Sequence, residues 1–175
     1  RLEDAETGRF RSFRHSPRPA ADDGEALYPE IHEDQRGFFW MGTEAGLVRF
    51  DPRSGAIRRY RTDPGDPSSL SHDQVRAVIP DPREPRRFLW LGTAGGGLNR
   101  FDLRTGSFAH VTERDGLPNN VVYGIRPDRQ GRLWLSTNRG LARYDPATGG
   151  IRTYDVHDGL QSNEFNAGSS FRAPD

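Results

Sequence analysis

The chain has 175 residues, and its 25 basic and 25 acidic side chains give a formal net charge of zero at pH 7. It has no cysteine, which excludes a disulfide framework, and it has no apolar run long enough to cross a membrane as a helix. The positive charges are scattered and balanced by acids, without a basic stripe, and this argues against nucleic-acid binding.

In chain order, residues 1–13 match the last strand of a repeat, and the Pro- and Asp-rich stretch 14–27 is predicted to be a loop. Three complete repeats follow at 28–60, 75–111 and 121–154, and residues 164–172 are similar to the first strand of another repeat. We expect a single domain with partial repeats at both ends.

One phrase marks each complete repeat. It is WMGT…GLVRFD from Trp40, WLGT…GLNRFD from Trp90 and WLST…GLARYD from Trp134, so the tryptophans are 50 and then 44 residues apart. Self-similarity at this period is typical of repeat architectures. Within the third repeat, short runs rich in β-branched and aromatic residues alternate with Asp- and Gly-containing turns, which predicts four short antiparallel strands.

Each predicted sheet is apolar on both faces, since Leu133 and Leu135 point to one side and Trp134 to the other. Sheets covered on two sides and arranged around an axis form a β-propeller, so the fold class is all-β with four-stranded antiparallel blades. We expect an arc of a larger propeller; the alternative is that the terminal strands pair into a fourth blade. Structural roles are assigned to the tryptophans at the blade interfaces and to the turn glycines of the phrase: Trp40, Trp90, Trp134, Gly46, Gly97 and Gly140.

The sequence offers little catalytic chemistry. The histidines are isolated, without metal-ligand spacing, and neither a nucleophile elbow nor a thiol is present. Asp51, Asp102 and Asp145 each precede a Ser or Thr and a Gly, which favours Asx turns over a catalytic pair. We therefore expect no catalytic residue, no metal site and no cofactor.

A ligand site is expected at one end of the blades. If strands run from the inner to the outer side of each blade, the connections between repeats and the loops after the Trp strands emerge together, and propeller sites form where loops converge. Turn closure is the alternative role for Asp73, Asn120 and Asn163. The candidate residues for a polar ligand such as an oligosaccharide are Glu44, His72, Asp73, Gln74, Asn119, Asn120, Tyr123, Asn138, Arg139, Asn163 and Glu164.

These phrases resemble a known family. Residues 34–55 and 128–149 are similar to the two-component regulator propeller repeat, DxxGxLWLxTxxGLxRYDxxTG, and the connecting phrases DGLPNN from Asp115 and DGLQSNEFN from Asp158 are also typical of it. The resemblance extends over nearly the whole chain.

The resemblance implies the periplasmic sensor region of a bacterial membrane receptor. Its output domain would be a histidine kinase or a diguanylate cyclase, joined through a downstream membrane helix that this chain does not contain, and the full receptor would be a homodimer. Two alternatives stay open. One is a propeller enzyme of the lyase or glycoside-cleaving type, and the other is a protein-binding scaffold.

Overall fold

The structure is a computed structural model that describes residues 2–4, 9–10 and 27–165. Most of the predicted loop 14–27 and most of the predicted strand 164–172 lie outside the described residues. The strands are β1 (Leu2–Asp4), β2 (Arg9–Phe10), β3 (Leu27–Glu33), β4 (Phe39–Thr43), β5 (Gly46–Phe50), β6 (Ile57–Tyr60), β7 (Val75–Pro80), β8 (Phe88–Thr93), β9 (Leu98–Asp102), β10 (Phe108–Val111), β11 (Val122–Pro127), β12 (Leu133–Thr137), β13 (Gly140–Tyr144) and β14 (Ile151–Tyr154).

Twelve of these strands form three four-stranded antiparallel sheets, each built from consecutive strands. We call them blade 1 (β3–β6), blade 2 (β7–β10) and blade 3 (β11–β14); β1 and β2 form a separate two-stranded sheet. The predicted all-β fold class and its four-stranded blades are confirmed. The described helices are single 3₁₀ turns at Glu113–Asp115 and Val156–Asp158. None of the described segments forms a helix with the length and apolar character needed to span a membrane.

The repeated phrase sets the same register in each blade. The tryptophan of the second strand lies opposite the arginine of the third, in the pairs Trp40–Arg49, Trp90–Arg100 and Trp134–Arg143. The first strands are neighbours, because β7 contacts both β3 and β11. The blades therefore stand side by side, with their first strands innermost and their last strands outermost, as in a propeller.

The interface between blades 1 and 2 is an apolar layer around Trp40, which is only 2% exposed. The Trp40 ring lies 5.9 Å from the ring of Tyr60 in its own blade and 5.4 Å from that of Phe101 in blade 2. Leu89 and Leu91 of β8 reach this layer from the other side. Both sheets thus bury one face here, and apolar burial is the largest favourable term in such packing.

The interface between blades 2 and 3 has the same construction. Trp90 is 1% exposed, and its ring meets that of Tyr144 from blade 3 edge-on at 5.6 Å. The indole N–H donates to Asp81 Oδ2 at 2.8 Å, so the buried polar atom is satisfied. Trp90 faces blade 3 while its neighbours in β8 face blade 1, which is the alternation that the sequence predicts.

Trp134 differs from the other two tryptophans because it is only partly buried. It lies on the side of blade 3 that faces away from blade 2, and it stacks on Tyr154 of the same blade at 5.3 Å. Within the described part of the chain, no ring from a following blade covers it. The expectation that every tryptophan lies between two blades therefore holds for Trp40 and Trp90, and Trp134 has such cover on neither side among the residues that the structure describes.

The turn glycine after each Trp strand approaches the backbone of the outer strand closely. Gly97 has φ +76°, and a Cβ added there would lie 2.3 Å from the carbonyl oxygen of Val111. The same approach, to a Tyr carbonyl, occurs at Gly46 and Gly140. A side chain at this position would need both a left-handed backbone and a displaced outer strand.

The aspartates that end the third strands close Asx turns. Asp102 Oδ1 accepts N–H groups from Arg104 at 2.7 Å and Thr105 at 3.3 Å, and Oδ2 faces Arg87 Nε at 3.4 Å. Burial favours the neutral carboxyl, but these donors outweigh it and hold the pKa of Asp102 below its ordinary value.

We expect acid to weaken the fold through this carboxylate. Because its pKa is lower in the folded state, its contribution to the unfolding free energy is complete above about pH 4 and is lost as the pH falls through the folded-state pKa. Urea unfolding at a series of pH values should show a smaller loss of stability on acidification in Asp102→Asn than in the wild type. The same loss in both proteins would contradict this account.

Candidate functional site

The antiparallel topology gives each blade two distinct ends. The segments that follow the outer strands (61–74, 112–121 and 155–163) and the turns after the Trp strands (44–45, 94–97 and 138–139) emerge at one end, which we call the connection end. Two sets of turns emerge at the other end of each blade, which we call the turn end. They are the turns after the first strands (34–38, 81–87 and 128–132) and the turns after the third strands (51–56, 103–107 and 145–150). The topology brings all eleven candidate ligand residues to the connection end or to strand residues beside it.

Three of the candidates perform the same structural task in successive connections. In each, a side-chain oxygen near the end of the connection accepts a backbone N–H that follows the outer strand of the preceding blade. The bonds are Thr62 N to Asp73 Oδ1 at 2.7 Å, Glu113 N to Asn120 Oδ1 at 2.9 Å and Val156 N to Asn163 Oδ1 at 2.9 Å. Turn closure therefore accounts for these oxygens, and a ligand role for the three residues stays a prediction.

Several other candidates also make contacts within their own loops. Asn119 Oδ1 accepts the N–H of Val121 at 2.9 Å, and His72 Nδ1 accepts the N–H of Gln74 at 3.1 Å. The Arg76 guanidinium lies 5.0 Å from the centre of the Tyr123 ring, so a cation–π contact joins the first strands of blades 2 and 3. These contacts fix the connections in place.

Four candidates leave their side chains in solvent: Glu44, Asn138, Arg139 and Glu164 are exposed. Glu44, Asn138 and Arg139 belong to the turns after Trp strands, which Thr43 and Thr137 close by donating to the carbonyl oxygens of Gly46 and Gly140 at 2.9 Å. The turn shape is thus set by the strand ends, and the exposed side chains are available for polar contacts with a ligand.

A cleft lies at the opposite end of the blades. A cavity of about 270 Å³ opens at the turn end, between blades 1 and 2. Its lining residues come from the turns of both blades and from the strands beside them: Asp34, Gln35, Arg36, Phe38, Trp40, Arg49, Pro85, Arg86 and Leu103. Sequence reasoning missed this cleft, because the residues that line it are separated by as many as 69 positions and only blade packing joins them.

Asp34 is the one carboxylate in that lining. Its Oδ1 accepts the N–H groups of Arg36 at 2.9 Å and Phe38 at 3.1 Å, and its Oδ2 accepts the indole N–H of Trp40 at 2.8 Å. Both oxygens are used to shape the turn. A ligand in the cavity therefore meets guanidinium groups and apolar surface more than a free carboxylate.

Among the described residues, no three histidine or acidic side chains come together in an arrangement that could hold a metal ion. The carboxylates of Asp51, Asp102 and Asp145 accept backbone N–H groups of their own turns at 2.7–2.9 Å. The Asx-turn interpretation of these three aspartates is confirmed.

Comparison with known proteins identifies the repeat. The family model described as "Two component regulator propeller" matches residues 116–139. A curated relative, histidine kinase P4 of Formosa agariphila, is 32% identical over an alignment that covers 79% of this chain and 13% of the kinase.

Two similar solved structures are extracellular domains from B. thetaiotaomicron. The domain assigned to a hybrid two-component system has a TM-score of 0.68 and 28% identity, covering 77% of this chain and 19% of that one. The domain assigned to a one-component system has a TM-score of 0.66 and 31% identity, covering 81% of this chain and 20% of that one. The chain therefore spans a fifth or less of the length of these relatives.

The family match lies on the connection before blade 3 and on β11 and β12, and the equivalent strands of blades 1 and 2 have the same register and the same Trp–Arg pairs. Sequence repeat, blade geometry and solved relatives thus agree. Residues 116–139 therefore carry a two-component regulator propeller repeat, and all three blades share its strand order and register.

Proposed function

We propose that this chain is part of the ligand-sensing propeller of a bacterial receptor and that it is a binding module without catalytic activity of its own. The observation that carries the proposal is the likeness, at 28–31% identity, to extracellular domains assigned to two-component and one-component systems. In such an arrangement the propeller recognises the signal, and the chemistry of the response occurs in another domain of the same protein.

The proposed ligand is small and polar, with an oligosaccharide as the leading class. Exposed amide and charged side chains at the connection end, namely Asn138, Arg139, Glu44 and Glu164, offer both donors and acceptors. Short turns on rigid blades hold these groups in place, an arrangement that limits the entropy lost on binding.

The proposed location is the periplasm, as the sensor region of an inner-membrane protein. The extracellular position of the solved relatives and the kinase identity of the curated relative support this placement and a histidine kinase output. A diguanylate cyclase output and a homodimeric receptor belong to the same proposal.

Ligand-dependent thermal stability tests the proposal. The purified protein is heated with neutral and acidic oligosaccharides, amino acids and nucleosides, each over a series of rising concentrations. A ligand that binds only the folded state adds about 2.7 kcal/mol to the unfolding free energy when it reaches about 100 times its Kd. We expect one class of sugar to raise Tm by several degrees and the other classes to leave it unchanged. An unchanged Tm with every class, or turnover of a sugar by the purified protein, would contradict the sensing role.

A matched pair of variants tests the connection end. The Asn138→Ala, Arg139→Ala double variant removes two exposed side chains from that end, and Arg104→Ala removes one from the turn end. If the connection end binds the sugar, the double variant loses the Tm rise while Arg104→Ala keeps it. Equal Tm rises in both would exclude these two residues from the site.

A further inference from the structure

We propose a second binding site at the cavity between blades 1 and 2, and we infer that it takes a sugar acid: a sugar-sized ring that carries a carboxylate. The site lies at the turn end, away from the connection end proposed above, and it does not depend on the residues there. The proposal follows from how the two blade interfaces differ at the same position.

At its turn end, the interface between blades 2 and 3 is bridged by one exposed arginine. The Arg83 side chain crosses from blade 2 to blade 3, where Nη2 donates to the carbonyl oxygen of Gln130 at 2.9 Å and lies 3.5 Å from Asp145 Oδ1. A Cβ added to Gly131 would lie 2.8 Å from Arg83 Nε, so this side chain packs directly on the turn.

The equivalent arginine between blades 1 and 2 is Arg36, and there the interface stays open. Arg36 and Arg83 both lie two residues after the aspartate of the first turn and donate their backbone N–H to it at 2.9 Å. The aspartate of blade 2 that corresponds to Asp145 is Asp102, which faces Arg87 of its own blade at 3.4 Å. Arg36 lines the cavity instead of filling it.

The arginine of the third strand also differs between these blades. In blade 2, Arg100 Nη2 lies 3.2 Å from Asp81 Oδ2 and 3.5 Å from Glu84 Oε1, so its charge is neutralised. Asp34 and Asp81 both accept the indole N–H of their own blade at 2.8 Å. The equivalent arginine of blade 1, Arg49, lines the cavity and stacks over the Phe38 ring at 4.6 Å. Arg100 also stacks over an aromatic ring, that of Phe88 at 3.6 Å, so the difference between the two arginines lies in the two carboxylates beside Arg100.

The cavity lining as a whole is positively charged. Among the described lining residues, Arg36, Arg49 and Arg86 provide three guanidinium groups against the single carboxylate of Asp34, an excess of two positive charges. Arg86 Nε donates to Gln35 Oε1, which holds that side chain across the opening from the first turn of blade 1. Planar guanidinium groups match a carboxylate with two parallel hydrogen bonds, and such charge-assisted pairs are the strong ones.

The size and the lining of the cavity indicate what the ligand carries besides the carboxylate, namely a ring with hydroxyl groups. Its volume of about 270 Å³ is slightly below the usual range of ligand sites, about 300–1,000 Å³, and suits one ring with its substituents. Phe38 and Leu103 are partly buried and line the cavity from opposite blades, so they offer apolar surface to the faces of a ring. Gln35 adds an amide that can bind a hydroxyl group.

Calorimetric titration with glucuronate and glucose tests the site, because the two sugars differ only in the carboxylate. The full chain is used as wild type and as Arg36→Gln, Arg86→Gln and Arg83→Gln, with far-UV circular dichroism to show that each is folded. Arg36 and Arg86 are exposed, and Arg83 occupies the equivalent position of Arg36 in the next blade, which makes Arg83→Gln the matched control.

We expect the wild type to bind glucuronate at least about tenfold more tightly than glucose, and Arg36→Gln or Arg86→Gln to weaken glucuronate binding by about tenfold. Arg83→Gln should leave this affinity unchanged, and raising the salt to about 0.5 M should weaken it. Equal affinity for the two sugars, no glucuronate binding by the folded wild type, or unchanged affinity in both cavity variants would overturn the proposal. The Asn138→Ala, Arg139→Ala double variant is titrated in the same way. Loss of glucuronate binding in that variant alone would also overturn the proposal, while the proposed sensing function would stand.

Discussion

Trp90→Ala is expected to lower the unfolding free energy by about 3–5 kcal/mol, the range seen when a large buried aromatic side chain is removed from a core. The Trp90 ring is 1% exposed, it contacts Tyr144 from the next blade, and its N–H satisfies Asp81. The variant loses apolar burial on both sides of the interface and leaves a buried carboxylate without one of its donors. Urea unfolding followed by circular dichroism measures the loss.

Trp134→Ala is the matched control for that substitution. It removes the same side chain at the same register position, but Trp134 is only partly buried and stacks on Tyr154 of its own blade. We expect a loss of roughly 1–2 kcal/mol, since less apolar area leaves water on folding. If both variants lost the same unfolding free energy, burial of Trp90 between two blades would add no stability beyond the contacts within one blade.

Gly97→Ala is expected to cost about 2–4 kcal/mol, although it adds a single methyl group. Gly97 has φ +76°, which an alanine adopts only at a cost of about 1 kcal/mol. The new Cβ would also lie 2.3 Å from the carbonyl oxygen of Val111, so the outer strand β10 has to move away from β9. Overpacking of this kind typically adds 1–3 kcal/mol.

Gly106→Ala separates the cost of the left-handed backbone from the cost of the steric clash. Gly106 has nearly the same backbone angle, φ +78°, but a Cβ there meets nothing within 4 Å. Its expected cost is therefore only the backbone cost of about 1 kcal/mol. Thermal or urea unfolding of both variants gives the comparison, and a Gly106→Ala loss as large as that of Gly97→Ala would rule out the steric explanation.

The blades were predictable because their signals are local and repeated. The WLGT phrase from Trp90 places an apolar alternation beside a turn glycine, and the same order occurs three times. Each repeat predicts a strand, a turn and a strand with one register, and the structure has that register in all three blades. Successive side chains of a strand point to opposite faces, so this alternation can be recognised from neighbouring residues without information on distant contacts.

The burial of Trp134 could not be predicted from its own repeat. Its sequence environment matches that of Trp90, but burial depends on a neighbouring blade, and Tyr144 of blade 3 covers Trp90 from 54 positions away. In a repeat protein, each unit is completed by its neighbours, so equivalent residues differ in exposure according to their place in the array.

The cavity at the turn end was missed for a related reason. Arg36 and Arg83 have the same local environment, yet Arg83 reaches Gln130 at a separation of 47 residues while Arg36 lines an open cleft. Whether an arginine is neutralised by a partner or faces a cavity is decided by blade packing. Conversely, the sequence placed polar residues at the connection end correctly, but it left open that Asp73, Asn120 and Asn163 close turns.

Acrylamide quenching of tryptophan fluorescence tests the central claim, the burial of indoles between adjacent blades, most directly. In the Trp134→Phe variant the remaining fluorophores are Trp40 and Trp90, which are 2% and 1% exposed. The blade arrangement predicts blue-shifted emission and quenching several-fold slower than that of free tryptophan, with both differences lost in urea. Emission and quenching equal to those of free tryptophan in the folded variant would contradict the arrangement.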